Sequence, residues 1–165
     1  MKRLAILTIG KTHSGKTTFA YALEKMLPNS IVIDQDNHAD FINSHYNKLL
    51  PKQGPNKLKY AVSQTILDYA IHHSICHLIV SNSNLDENGR AELIDQFRQH
   101  GLTIVVVHFA ILEAVLQERV KNSTRPTNIF RSATTMNSLE ADYLFEIKDN
   151  AETTALIQRI FELVY

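Results

Sequence analysis

The sequence has one cysteine, five glycines, four prolines and no excess of charge of either sign. A single cysteine cannot close an internal disulfide, and it gives no metal-ligand pattern. Cys76 opens an apolar run and reads as a buried structural thiol. With so few glycines and prolines, no linker, repeat or low-complexity tract divides the 165 residues, a length that fits one domain with a substantial core. Seventeen basic and seventeen acidic side chains cancel to a formal net charge of zero. No global field therefore draws the chain to nucleic acid or to an anionic membrane, although a local basic patch is compatible with that balance. No run reaches the roughly 18 apolar residues that cross a bilayer. Lys11 cuts short the apolar stretch after Met1-Lys2-Arg3, and no small-residue cleavage site follows, so that stretch reads as a strand and not as a secretory leader. The expected compartment is a reducing cytoplasm, with no membrane partner; oligomeric state has no signature.

What is present is an alternation of short apolar runs and longer amphipathic ones. Arg3 to Ile9 reads as a strand buried on both faces. Lys16 to Leu27 carries Phe19, Ala20, Leu23, Met26 and Leu27 at helical spacing, and Pro28-Asn29 stops it. Ser30 to Ile33 is a second strand, with Asp34-Gln35-Asp36 just beyond it and a short helix over Ala39 to Tyr46. Pro51, Gly54 and Pro55 mark a loop before an amphipathic helix that starts at Lys57 and carries Leu58, Ala61, Ile66, Leu67 and Ile71. Strands over Cys76 to Val80, Leu102 to Phe109 and Tyr143 to Ile147 then alternate with helices over Glu87 to His100, Leu112 to Val120 and Ala151 to Tyr165. This rhythm predicts βαβ units, a parallel sheet and helices on both faces of a single domain spanning residues 1–165.

The first strand runs into Gly10-Lys11-Thr12-His13-Ser14-Gly15-Lys16-Thr17, with the spacing G-x-x-x-x-G-K-T. Glycines let such a loop fold tightly, so that consecutive backbone N–H groups face phosphate oxygens. The helix that follows adds its unpaired N–H groups and positive dipole end. Lys16 is placed to reach the β- and γ-phosphates of a nucleoside triphosphate, and the Thr17 hydroxyl to coordinate Mg²⁺. Gly10 through Thr18 thus form the expected ATP-binding segment. His13 and Ser14 occupy internal loop positions without a catalytic assignment. Elsewhere, eight histidines show no H-E-x-x-H or similar metal spacing.

With its short chain, single P-loop and later arginine-bearing segment, the sequence resembles the small P-loop kinases, and most closely their polynucleotide-kinase and zeta-toxin-like branch. The same loop fits an AAA-type ATP-binding domain. The resemblance implies a three-layer α/β/α P-loop NTPase fold, adenylate-kinase-like, with a five-stranded parallel sheet and a short lid near residues 119–132. It also implies that Asp36 accepts the proton of an attacking hydroxyl, with Asp34 as the alternative or as a metal-water ligand. The polynucleotide kinases follow this carboxylate with a phosphate-gripping arginine; here Asn37, His38 and Ala39 stand there, so a nucleic-acid acceptor is compatible but not favoured. Leu78 to Leu85 with Arg90 matches a second element of the branch, except that Ser81 replaces its magnesium-holding aspartate, while Asn84 and Arg90 fit. Arg119 and Arg125 match the lid arginines that stabilise the transferred phosphoryl group; Lys121 and Arg131 fit less closely.

These residues predict an ATP- and Mg²⁺-dependent kinase that phosphorylates a hydroxyl of a small-molecule or nucleotide-like acceptor. The rival is a nucleotide-binding regulatory or accessory protein with little or no kinase activity, for which Ser81 is the main support. A GTPase switch is disfavoured, because Phe109-Ala110-Ile111-Leu112 stands where a guanine-reading N-K-x-D sequence would follow the fourth strand.

Overall fold

Six residues in succession, Leu4–Ile9, are buried, which a strand achieves only when both faces of its sheet are covered. They form β1, the middle strand, in the computed structural model, which describes residues 2–123 and 141–164. β2 (Ser30–Ile33), β3 (His77–Val80), β4 (Thr103–Phe109) and β5 (Tyr143–Ile147) complete a five-stranded sheet in the order β2-β3-β1-β4-β5. Every pairing is parallel, with Ile6 opposite Ile79 on one side and Val105 on the other. The described residues therefore have the expected α/β fold with a five-stranded parallel sheet.

Alternate residues of β1 feed two separate cores. Leu4 and Ile6 pack with Phe19 and Leu23 of α1 (Lys16–Met26), Leu116 of α5 (Glu113–Lys121), and Leu156 and Ile160 of α6 (Thr153–Phe161). Ala5, Leu7 and Ile9 pack with Leu67 and Ile71 of α3 (Lys57–His73) and with Ile94 and Phe97 of α4 (Glu87–Gln99). The period-2 alternation of a strand thus puts a helical layer on each face. α2 (Gln35–His45) packs on α3. No helix among the described residues is long and apolar enough to cross a membrane.

Three local boundaries differ from the sequence pattern, each for a definable reason. α2 begins at Gln35, four residues earlier than its apolar spacing indicates, because the Asp34 side chain caps it by accepting from the Asp36 N–H at 2.9 Å. α6 begins at Thr153, after a tight turn over Asn150–Glu152 whose Asp149 carboxylate accepts from the Ala151 N–H. β3 begins at His77, and Cys76 is only partly buried; its thiol donates to Asn29 Oδ1 at 3.3 Å. His77 takes the buried position, because its Nδ1 accepts the Leu4 N–H at 3.0 Å and so continues the ladder between β3 and β1.

Arg3 secures the same corner. Its Nε donates to Cys76 O at 2.8 Å, and its two terminal nitrogens donate to Ile71 O at 2.9 Å and Ala70 O at 2.6 Å. The guanidinium thereby satisfies carbonyls at the C-terminus of α3, where a cation also complements the helix dipole. Burial pushes the His77 imidazole pKa down, and the Arg3 charge adds to the shift. An Nδ1 that accepts a backbone N–H must be unprotonated, so the folded state holds His77 neutral. The stability this provides is complete above the ordinary histidine value of about 6.5 and is lost as pH falls below it, where the unfolded chain takes up the proton first. The expected result is a urea midpoint that falls between pH 7.5 and 5.5. His77→Asn, whose side-chain oxygen can replace Nδ1, should flatten that dependence; an unchanged slope would remove His77 from the account.

Candidate functional site

The carboxyl ends of the five parallel strands define one edge of the sheet, and the turn after β1 lies there. In open α/β sheets this edge is where ligand crevices form. The Gly10 N–H donates to Ser83 O at 3.1 Å, joining the ends of β1 and β3. A side chain at Gly10 would lie 2.9 Å from Phe109 Cβ, and its φ of 151° suits glycine. His13 and Gly15 both adopt left-handed conformations, with φ of 64° and 99°. Gly15 caps α1, whose first N–H groups have no partners inside the helix and form an anion-binding end.

Two distant side chains hold this loop. Arg119 Nη1, on α5, donates to His13 O at 3.0 Å. Asn150 Nδ2, just beyond β5, donates to Ser14 O at 3.0 Å, and Arg119 Nη2 donates to Asn150 Oδ1 at 2.7 Å. Asn150 sits so close that a Cβ on Gly15 would approach its Nδ2 to 2.4 Å. Lys11 Nζ pairs with the Glu113 carboxylate, tying the start of the loop to α5. Ser14 is fully buried.

Lys16 Nζ folds back over the loop, donating to Lys11 O at 2.6 Å and to Ser14 Oγ at 3.3 Å. Burial lowers its pKa to about 8, against the opposing pull of the Asp36 and Asp34 carboxylates. The cleft beside it has a volume of about 600 Å³ and is lined on the loop side by Thr12, His13, Gly15, Lys16, Thr17 and Thr18. Asp36 and Arg119 line its other walls. Asp34 is buried in its capping role and is not part of that lining. Ser81 Oγ and His13 Nε2 are buried in the cleft wall without a hydrogen-bond partner. Such orphaned atoms are uncommon in folded proteins.

Of the remaining expectations, Arg90 is almost completely buried and donates from Nη1 to Asn84 O at 2.9 Å. Asn84, with φ of 46°, donates to Thr8 O. This pair therefore shapes the turn after β3. Lys121 is exposed and outside the cleft lining. Arg125 and Arg131 fall outside the described residues, as does most of the expected lid. The cleft also contains Gln35, Lys59, Tyr60 and Asn150, which no sequence motif singled out for phosphate binding. Asn150 had a signal only as a polar residue beyond the last strand.

A parallel sheet in the order 2-3-1-4-5 with this loop after its first strand defines a P-loop nucleotide-binding fold of the small-kinase type. The sequence profile of an AAA domain family matches residues 6–141, and the chain belongs to that family. No curated protein matches the sequence. Among solved structures, the chain is similar to Kti12 of Chaetomium thermophilum in complex with ADP-AlF3, at 15% identity and a TM-score of 0.65, over 98% of this chain and 99% of that one. It is also similar to the APS kinase CysC of Mycobacterium tuberculosis in complex with AMPPNP and APS, at 16% identity and a TM-score of 0.58, with 99% of both chains covered. A gluconokinase of Sinorhizobium meliloti matches at 20% identity and a TM-score of 0.57, over 99% of this chain and 98% of that one. At these identities the likeness is one of fold.

Two outcomes test the geometry of the loop. Phosphate oxygens require the charged form of Lys16, so triphosphate affinity should fall as pH rises through about 8, and Lys16→Met should abolish that dependence in calorimetric titrations. Asn150→Ala and Arg119→Ala should each weaken nucleotide binding by about 1–2 kcal/mol, from lost bonds to loop carbonyls. Because the two side chains also bond each other, the double variant should lose less than the sum; strict additivity would show that they act separately.

Proposed function

We propose that the protein is an ATP-dependent kinase that transfers the γ-phosphoryl group to the hydroxyl of a small acceptor. The observation that carries this reading is that a single cleft is lined by Lys16, Thr17, Asp36 and Arg119 together. In the proposed step the acceptor oxygen attacks the γ-phosphorus, and the bond to the β-phosphate bridging oxygen breaks. ADP leaves, and the acceptor proton passes to the Asp36 carboxylate. Lys16 and the N–H groups at the start of α1 hold the phosphates, while Arg119 stabilises the loop and faces the charge of the moving phosphoryl group.

The hydroxyls of Thr17 and Ser81 are hard oxygen donors, the kind that suits Mg²⁺. The partnerless Ser81 Oγ fits that assignment. Asp34 is a candidate to orient a metal-bound water from its buried position. Magnesium bound there would neutralise phosphate charge. Family relationships and nucleotide-bound relatives support ATP as the donor, and a cytoplasmic location accords with it. Arg125 remains a proposed lid residue.

A nucleotide-binding accessory protein is the second reading, favoured by one observation: Ser81 stands at the end of β3 as a neutral group. The two separate on one experiment. Asp36→Asn should cut phosphoryl transfer by at least about 100-fold, while leaving the ATP dissociation constant within about twofold. If wild-type protein binds Mg-ATP but phosphorylates nothing in a broad acceptor screen, the accessory reading stands instead.

A further inference from the structure

Beyond the phosphate cleft lies a second cavity of about 540 Å³, between α3, α4 and the ends of β2 and β3. Gln35, Tyr60, Asn82 and Ser83 line both spaces, so the two adjoin next to Asp36. Its walls include Ile33, Leu67, Val80, Leu85 and Leu93, with the exposed ring of Tyr60 at the junction.

The polar groups of this cavity are largely engaged in holding the fold. Ser63 Oγ donates to Lys59 O at 2.7 Å and is hydrogen-bonded with His38 Nδ1 at 2.6 Å. Asn82 Oδ1 accepts the Gln35 N–H, and Asn84 Nδ2 donates to Thr8 O. Gln64 donates to Asp68 at 2.8 Å. Among the described residues only Asp86 and Arg90 bring charge to the lining. Asp86 caps α4 by accepting the Gly89 N–H, and the buried Arg90 guanidinium binds Asn84 O. A phosphate or carboxylate entering this space would lose water against apolar walls, a large cost without a dedicated cation. An apolar surface of the same size would instead gain from burial.

We infer that the acceptor is an uncharged hydroxyl compound with an apolar body, seated against Leu67, Val80 and Leu93, with its hydroxyl at the Tyr60 junction facing Asp36. This rests on the kinase reading above and specifies its substrate class. Phosphorylated sugars, nucleotides and 5′-hydroxyl oligonucleotides are disfavoured because Arg90, the one cation of the described lining, is buried and bound to Asn84 O, and free polyols because Leu67, Val80 and Leu93 offer them no hydrogen bonds.

The test is radiolabelled phosphoryl transfer from Mg-ATP by the full chain to three panels of acceptors. These are aromatic or aliphatic alcohols, free polyol sugars, and phosphorylated sugars with nucleotides and 5′-hydroxyl oligonucleotides. Transfer to the first panel should exceed that to the others by at least about tenfold in kcat/KM. Ala61, exposed on α3 at the cavity wall, allows a second measurement. Ala61→Arg should raise the KM of the best alcohol by about tenfold or more, with thermal melting and nucleotide binding as checks on folding. Preferred transfer to either of the other panels, or an unchanged KM in the variant, overturns the inference and leaves the kinase reading intact. Absence of transfer to every panel by protein that binds Mg-ATP removes the kinase reading itself, and this inference with it.

Discussion

A peptide unit carries its N–H and its carbonyl on opposite edges, and the phosphate loop depends on that. With the Ser14 carbonyl bound by Asn150 at 3.0 Å, the Gly15 N–H on the same peptide is turned the other way. The His13 carbonyl is bound by Arg119, and the Ser14 N–H of that peptide returns to Lys11 O at 3.3 Å. The left-handed turns at His13 and Gly15 are held by these two side chains, one on α5 and one beyond β5. Preorganised backbone dipoles of this kind bind anions without a reorganisation cost at the moment of binding.

The same constraint explains why the C-terminal third of the chain matters to a site built on its first twenty residues. β5 pairs with β4, and β4 pairs with β1, so the sheet register sets where Asn150 emerges relative to Gly15. A Cβ at Gly15 would meet Asn150 Nδ2 at 2.4 Å, so a side chain there would displace the Asn150 amide from the loop as well as strain the backbone. Electrostatics follow from this arrangement. A chain with no net charge gathers a desolvated lysine, the Asp36 carboxylate and an arginine around one cleft, so the local field is set by placement and not by composition.

The fold was readable because its signals are local. Apolar strands of four to seven residues and helical spacing from Lys16 and Lys57 follow from period and propensity. At the start of α2 the deciding group is one capping bond from Asp34, which hydrophobic spacing does not register. Cys76 departs from its expected burial for a related reason. An apolar run does not say where the ladder begins, and the buried place belongs to His77, a polar residue that supplies an acceptor to Leu4.

The sequence by itself determined the phosphate loop, the parallel α/β architecture and the strand-end carboxylates, because each is encoded in contiguous residues whose backbone preferences suffice to specify it. The tertiary structure alone decided that Arg119 and Asn150 clamp the loop, that Asp34 is buried while Asp36 faces the cleft, and that a second cavity adjoins it. Those relations join residues as many as 136 positions apart. They depend on sheet order and helix packing, which no local pattern contains.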